Sequence, residues 1–336
     1  MDSMVMIVAI VALALIYDLS NGWNDSANAI ATVVSTRVLS PSQAVAFGVA
    51  LNFIGALFSS EVAKTVGRDI ADPRLLTGAT FLAAVLVSPI WITLCTIRGL
   101  PISCSHSLLG GLIGAVLATT GLEGLKAKGI KKIVFGIGTS PLLGFLFGAI
   151  IFVLVMWIVR RWHPATVGRL FGKLQLLSAG AMAFSHGTGD AQKAMGIITG
   201  ALLSANLISL GPEGEMHIPI WVRLLCASMM ALGTAVGGWR VMKTLGMKLA
   251  HLRPHQGFAA ETAAATTILL NTLTGVPIST THSITGAIAG VGAAQGVRFV
   301  KWGIGAKIVF AWIVTFPACI AGGALTFMLF KFIGIA

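Results

Sequence analysis

The sequence predicts an all-α polytopic membrane protein made of two inverted-topology repeats of about five spans each, with broken helices and half-helices at the bilayer midplane. Three observations lead there. Of 336 residues, 56% are hydrophobic and 10% charged, with a mean hydropathy of +0.91, whereas soluble domains carry about 25% charged residues. The apolar runs are near-continuous and do not alternate, which argues for spanning helices over a membrane barrel. Two polar motifs, each set in apolar sequence, occur twice in the same order.

The first motif is Asn21-Gly-Trp-Asn24-Asp25-Ser-Ala-Asn28-Ala29, flanked by apolar residues 4–17 and 29–34. The flanks together are long enough to cross a bilayer, which takes about 20 residues, so the cluster lies at membrane depth. A carboxylate there costs about 2.5 kcal/mol or more and marks a functional site by default; the alternative is a polar turn between two short interfacial helices. Recurrence argues against that alternative. Residues 185–194 read Ser-His-Gly-Thr-Gly-Asp-Ala-Gln-Lys-Ala, placing Asp190 165 residues after Asp25 and pairing Asn24 with Gly189 and Asn28 with Lys193.

The remaining spans follow as apolar blocks between charged punctuation. After a charged loop (Glu61, Lys64, Arg68, Asp69, Asp72, Arg74), the first half runs through 75–97, a short glycine-rich block at 101–121 and a long span at 133–159. The short block opens with Pro101-Ile-Ser103-Cys-Ser105-His106-Ser107, and its second copy, Pro277-Ile-Ser279-Thr280-Thr281-His282-Ser283, stands 176 residues later. Around these copies lie a block at 174–203, read as broken at Asp190, a loop charged only at Glu213 and Glu215, and blocks at 218–238, 258–274 and 308–332. The expected division is a first repeat at 1–160, a cytoplasmic basic linker at 161–173 and a second repeat at 174–336. An odd number of crossings per repeat turns the second upside down, as in secondary transporters.

The formal charge of +12 does not point to nucleic acid, because Lys and Arg lie in short segments between spans, the positive-inside pattern. Loop charge places both termini outside the cell. The loop bearing Lys126, Lys128, Lys131 and Lys132 disagrees: either the spans are miscounted there or an outer basic vestibule attracts anions. The first residues lack a basic start and a cleavage site, so the first span is expected to stay. Cys95, Cys104, Cys226 and Cys319 lack metal or disulfide spacing and read as small core residues.

Inverted repeats should bring the two Asp clusters and the two Ser/Thr-rich openings together. Each opening puts hydroxyls at a helix N-terminus, where free N–H groups and the dipole favour an anion. Ser103, Ser105, Ser107, Ser279, Thr280, Thr281 and Ser283 are donors for a tetrahedral oxyanion; His106 and His282 either join them or cap and pack their half-helices. Ionised Asp25 and Asp190 accept only, so they must hold a proton, sodium or another metal. A divalent phosphate beside both carboxylates and Lys193 would leave a local charge of about −3, which a low-dielectric cavity does not tolerate. Charge balance therefore calls for a co-transported cation and makes the protein a symporter. Asn24 and Asn28 could join Asp25 around a hard cation; in the second copy Lys193 would stand in for one coupling ion.

His186 reads as structural, Asp18 as either orienting Asn21 or Trp23 or belonging to the site, and Glu261 as an interfacial or paired charge. Gly110, Gly111, Gly114, Gly286 and Gly290 read as close helix packing. Two rival functions remain: a sulfate permease on the same scaffold, and an intramembrane hydrolase. The hydrolase lacks a Gly-x-Ser-x-Gly elbow, and duplicated polar motifs suit alternating access, not catalysis.

At these residues the chain resembles the inorganic phosphate transporter family. Asn21 to Ala29 is similar to that family's Gly-Ala-Asn-Asp-x-Ala-Asn-Ala signature, 185–194 to its second copy, and the two Ser/Thr openings occur in family order. The resemblance implies phosphate as substrate, cation-coupled uptake across the plasma membrane, a homodimer, and phosphate and cation sites at Asn24, Asp25, Asn28, Asp190 and the openings. Gly22-Trp23, Gly189 and Lys193 depart from the signature and resemble the compact bacterial low-affinity branch. That implies proton coupling, a neutral phosphate complex of Mg2+ or another divalent metal as cargo, and a PhoU-like cytoplasmic accessory protein; sodium coupling is the alternative.

Overall fold

The computed structural model describes residues 3–336 apart from Glu213, and among these it is all helix, with a single isolated bridge between Ala71 and Leu125 in place of any strand. The first half holds α1 (Ser3–Ser35), α2 (Pro41–Ala56), α3 (Glu61–Asp69), α4 (Gly78–Ile97), α5 (Cys104–Thr120) and α6 (Ala127–Val159). The second holds α7 (Pro164–Ser204), α8 (Ile220–Val236), α9 (Trp239–Leu249), α10 (Pro254–Leu273), α11 (Thr280–Gln295) and α12 (Trp302–Phe332). Local sequence sets several starts. Ser40 and Gln43 close a capping box before Pro41, Thr77 and Thr80 do the same for α4, and Pro164 and Pro254 occupy first-turn positions where a missing N–H costs nothing.

Five helices among the described residues (α1, α4, α5, α6 and α12) are long and apolar enough to cross a membrane, and the bent pairs α2–α3 and α8–α9 bring the number to seven. The outer faces of α6 and α12 expose Phe135, Leu142, Ile150, Trp157, Phe310, Ile313 and Leu325, a surface suited to acyl chains and not to water.

The halves pack as copies of one another. Helix α1 lies on α8 as α7 lies on α2; α5 on α12 as α11 on α6; α4 on α5 as α10 on α11. Glycines set the first crossing: a Cβ on Gly22 would strike the Met230 carbonyl and one on Gly233 the Leu19 carbonyl. In the other half Gly187 and Gly55 stand in the same relation to the Asn52 and Phe184 carbonyls. The Gly111, Gly114, Gly286 and Gly290 positions likewise face neighbouring backbone, the close packing read from sequence.

Two features differ from the sequence reading. The Asp clusters do not break their helices: α1 and α7 run unbroken through Asp25 and Asp190, because each cluster lacks proline and several of its side chains, Asn24, Asn28 and Asp190 among them, find partners on other helices or on their own. The breaks fall instead between α2 and α3 and between α8 and α9, at bends of 61° and 62°. The linker expected at 161–173 is helical from Pro164 onward. The discordant basic loop also has an account: Lys126 pairs with Asp72 at 3.3 Å, and Lys128 and Lys132 pair with Asp69 at 3.1 and 3.3 Å. Three of its four lysines are thus paired with two aspartates of the preceding loop. Of the two loop glutamates, Glu213 lies outside the described residues.

Candidate functional site

The polar residues of α1 recur at 18, 21, 25, 28 and 32, a spacing that puts them on one face of a helix. That face is buried against α7, α8, α10 and α11. The second face belongs to α7, where His186, Asp190 and Lys193 lie one turn apart. The two short helices complete the site: Ser103 caps α5 by accepting from the His106 N–H at 3.1 Å, and Ser279 caps α11 by accepting from the His282 N–H at 3.2 Å.

These four elements meet. Thr280 Oγ1 lies 3.2 Å from Oδ2 of both Asp25 and Asp190, and Thr281 Oγ1 donates to Asp25 Oδ1 at 3.1 Å. The Asn28 amide donates to the Thr280 and Thr281 oxygens at 3.2 and 3.0 Å. Lys193 forms a buried ion pair with Asp190 Oδ1. Ser105 donates to the Ile278 carbonyl at 2.8 Å, tying the start of α5 to the start of α11. Ser107 donates to the Cys104 carbonyl and Ser283 to the carbonyl of the capping Ser279. His106 and His282 meet edge to face, 4.6 Å between centroids, and His282 also lies against Trp312; both ring nitrogens of His282 lack a hydrogen-bond partner.

Not every expected neighbour joins. The Asn24 amide turns to α4, donating to Thr96 Oγ1 at 2.8 Å and to the Leu100 carbonyl at 3.4 Å. Its neighbouring position on the helix rotates it off the Asp25 face, although the Asn24 and Asn28 amide oxygens are both buried without partners. Asp18 makes no hydrogen bond to Asn21 or Trp23. Glu261 is not interfacial: it is fully buried on α10 and accepts from Thr32 on α1 and from Gln175 and Ser178 on α7. The positions related by the repeat offsets are apolar: Ile197 for Thr32, Val85 for Glu261, Ile10 for Gln175 and Leu13 for Ser178.

His186, which reads as structural from sequence, lies at the centre of this cluster. Its Nδ1 lies 2.8 Å from Asn52 Oδ1, while the Asn52 amide nitrogen donates to Thr234 Oγ1 at 3.1 Å, so the proton sits on Nδ1. Nε2 then points toward Asp190 Oδ2 at 3.6 Å and Asp25 Oδ2 at 3.9 Å with no hydrogen-bond partner. A bare lone pair facing two carboxylates repels both. A proton or a metal cation between them removes the conflict, and ligand atoms of Asp25, His186 and Asp190 lie within 4.8 Å of one another. The Asn52 carbonyl orients the imidazole as a carboxylate or carbonyl does behind a metal-bound histidine. The signal available in sequence was the offset: His186 stands 165 residues after Asn21, inside the repeated motif.

Known proteins resemble this chain. Residues 21–323 match the phosphate transporter family (PHO4). The chain is 43% identical over 323 residues to the "Probable low-affinity inorganic phosphate transporter" of Rhizobium meliloti (strain 1021), covering 96% of each chain. It is 38% identical over 332 residues to the protein of the same description from Bacillus subtilis (strain 168), covering 98% of each. Among solved structures it is similar to "The sodium-dependent phosphate transporter", at 27% identity and a TM-score of 0.89, over 98% of this chain and 100% of that one. Motif, fold and relatives agree: the chain belongs to the phosphate transporter family.

Proposed function

We propose that the chain is a secondary active symporter of inorganic phosphate, driven by protons, with the coupling cation bound between Asp25, His186 and Asp190. The supporting observation is the double engagement of the α11 hydroxyls. Thr280 and Thr281 are donors to the two carboxylates, and they are also the donors an oxyanion at the α11 N-terminus would need. A carboxylate holding a proton or cation is a weaker acceptor, so cation binding releases these hydroxyls toward the substrate. Phosphate and cation then bind together or not at all, which is the requirement of symport.

Lys193 neutralises Asp190 permanently and takes the place of one coupling ion. Phosphate enters as a neutral complex with a divalent metal, which leaves the smallest uncompensated charge in the cavity. The two halves, related by an in-plane pseudo-two-fold axis, rock about this site to expose it alternately to the two sides of a plasma membrane.

Radiolabelled phosphate uptake into proteoliposomes tests the reading, with a proton gradient, a sodium gradient, magnesium and excess sulfate varied separately. Uptake that follows the proton gradient, rises with magnesium and ignores sodium and sulfate supports it. Sodium coupling is the second reading, favoured by the likeness to a sodium-dependent phosphate transporter. Sodium-driven uptake of the wild type would establish it, and uptake abolished by sulfate would point to a broader oxyanion site.

A further inference from the structure

Asp18 has no part in the network just described. It lies near the middle of α1, fully buried, and neither carboxylate oxygen has a hydrogen-bond partner among the described residues. Asn21, one turn on and equally buried, leaves both its amide nitrogen and its amide oxygen unpaired. Four adjacent polar atoms without partners are unusual in a packed interior, where nearly all buried polar groups are bonded. The surroundings do not supply a dedicated counter-charge. The titratable groups acting on Asp18 are Cys226 of α8, Asp190 and Lys193 of α7, and Tyr17 beside it on α1.

None of these supplies a counter-charge. Lys193 is already paired with Asp190, the Tyr17 hydroxyl is directed at the Cys104 carbonyl at 3.3 Å, and the Cys226 thiol beside Asp18 is a weak, uncharged donor. Among the other helices packed on α1, α2 carries no ionisable side chain and α4 brings only Cys95. Cys104 and His106 of α5 lie at the central site, Arg240, Lys243 and Lys248 of α9 are exposed, and Glu261 of α10 and His282 of α11 are engaged at the Thr32 and Thr280 levels. An ionised Asp18 would be an uncompensated buried charge, a state that groups in apolar interiors avoid by taking up a proton.

We propose that Asp18 is a separate proton-binding carboxylate, held with Asn21 in the α1–α8 interface, which loads and unloads the Asp25–Asp190 pair. The proposal rests on the proton-coupled reading above. Asp18 and Asp25 are seven residues apart on one face, about 10 Å along the helix, and the unpartnered amide of Asn21 lies on that face between them. A metal ion fits the position poorly. It would find three side-chain oxygens and a soft thiol, whereas hard cations take six or more oxygen ligands. A proton needs one acceptor, and the resulting carboxyl can bond the Asn21 amide. The repeat offset puts Ala183 at the equivalent place in the second half, so this site is a feature of the first half alone.

The test compares wild type, Asp18→Asn and Asp18→Glu in proteoliposomes, each measured for uptake driven by a proton gradient and for phosphate–phosphate exchange at equal pH. In Asp18→Asn the ratio of driven uptake to exchange should fall by about tenfold or more, with Asp18→Glu restoring most of it. Infrared difference spectra of the purified wild type across a pH titration should show a protonated-carboxyl band that Asp18→Asn removes, a readout that survives even if the variant transports poorly. An unchanged ratio, or a carboxyl spectrum identical in wild type and Asp18→Asn, overturns the proposal. A sodium requirement that disappears only in Asp18→Asn also overturns it, in favour of a metal site. Wild-type protein that ignores the proton gradient refutes the coupling reading itself, and the infrared band then decides separately whether Asp18 binds a proton.

Discussion

The α1–α8 and α7–α2 crossings are one backbone arrangement filled with two different chemistries. In each, a pair of glycines lets the helices approach until a Cβ would strike the opposite carbonyl. On the α7 side His186 is held by Asn52 of α2, which in turn donates to Thr234 of α8. On the α1 side Asp18 has only the weak Cys226 thiol beside it and both polar atoms of the Asn21 amide are unpaired, so no comparable chain forms. Two similar crossings thus carry different side chains: one holds a closed set of hydrogen bonds and the other has unspent hydrogen-bonding capacity. A buried polar network is stabilising only when complete, so the open one is where a mobile proton is most easily accommodated.

This comparison can be broken or sharpened by substitution, and the largest effect lies between the two crossings. Asp190→Ala leaves the Lys193 ammonium buried without its partner, at a cost of about 3–5 kcal/mol. A lower thermal unfolding midpoint in detergent, together with lost uptake, should register it, and Lys193→Asn in the same background should recover part of the stability. Next come the glycines. Gly22→Ala and Gly187→Ala each drive a methyl into a carbonyl and should cost about 1–3 kcal/mol apiece. Equal losses would support equivalence of the crossings; a large difference would show that one is already loose.

Asn52→Ala separates the crossings functionally. It frees the His186 Nδ1 proton from its acceptor, and the apparent affinity for the coupling cation in uptake assays should fall about 10–100-fold, as for other residues that orient a ligand from behind. Unchanged cation dependence would take His186 out of the site. The smallest effect belongs to the charged loop. Lys128→Ala removes an ion pair whose lysine side chain is 71% exposed, so stability should change by less than about 1 kcal/mol, and phosphate uptake should not change.

Much of this was legible in the sequence because duplicated motifs carry their own alignment. Asp25, Asp190, Thr280 and Thr281 are expected together from the two offsets alone, and they lie within hydrogen-bonding reach. Other features depend on helix phase and on partners distant in the chain. Asn24 is adjacent to Asp25 in sequence but points to Thr96. His186 gains its orientation from Asn52, which nothing in a linear reading connects to it. Glu261 reads as an isolated charge because its donors come from two helices far away in sequence. The helix bends are misplaced in a linear reading for a related reason: polar residues suggest an interruption, but a helix passes through them unbroken when neighbouring helices satisfy their side chains.

The Glu261 cluster and its apolar counterpart give the molecule a thermal asymmetry. One end of the core is fastened by hydrogen bonds from Thr32, Gln175 and Ser178 to a carboxylate; the equivalent positions at the other end hold Ile10, Leu13, Val85 and Ile197. Parting the first exchanges protein hydrogen bonds for water, largely an enthalpic change. Parting the second wets apolar surface, which raises heat capacity and costs less on cooling. On the rocking cycle proposed above, two closures that balance at one temperature should not balance at another, and the side to which the core opens more readily should depend on temperature.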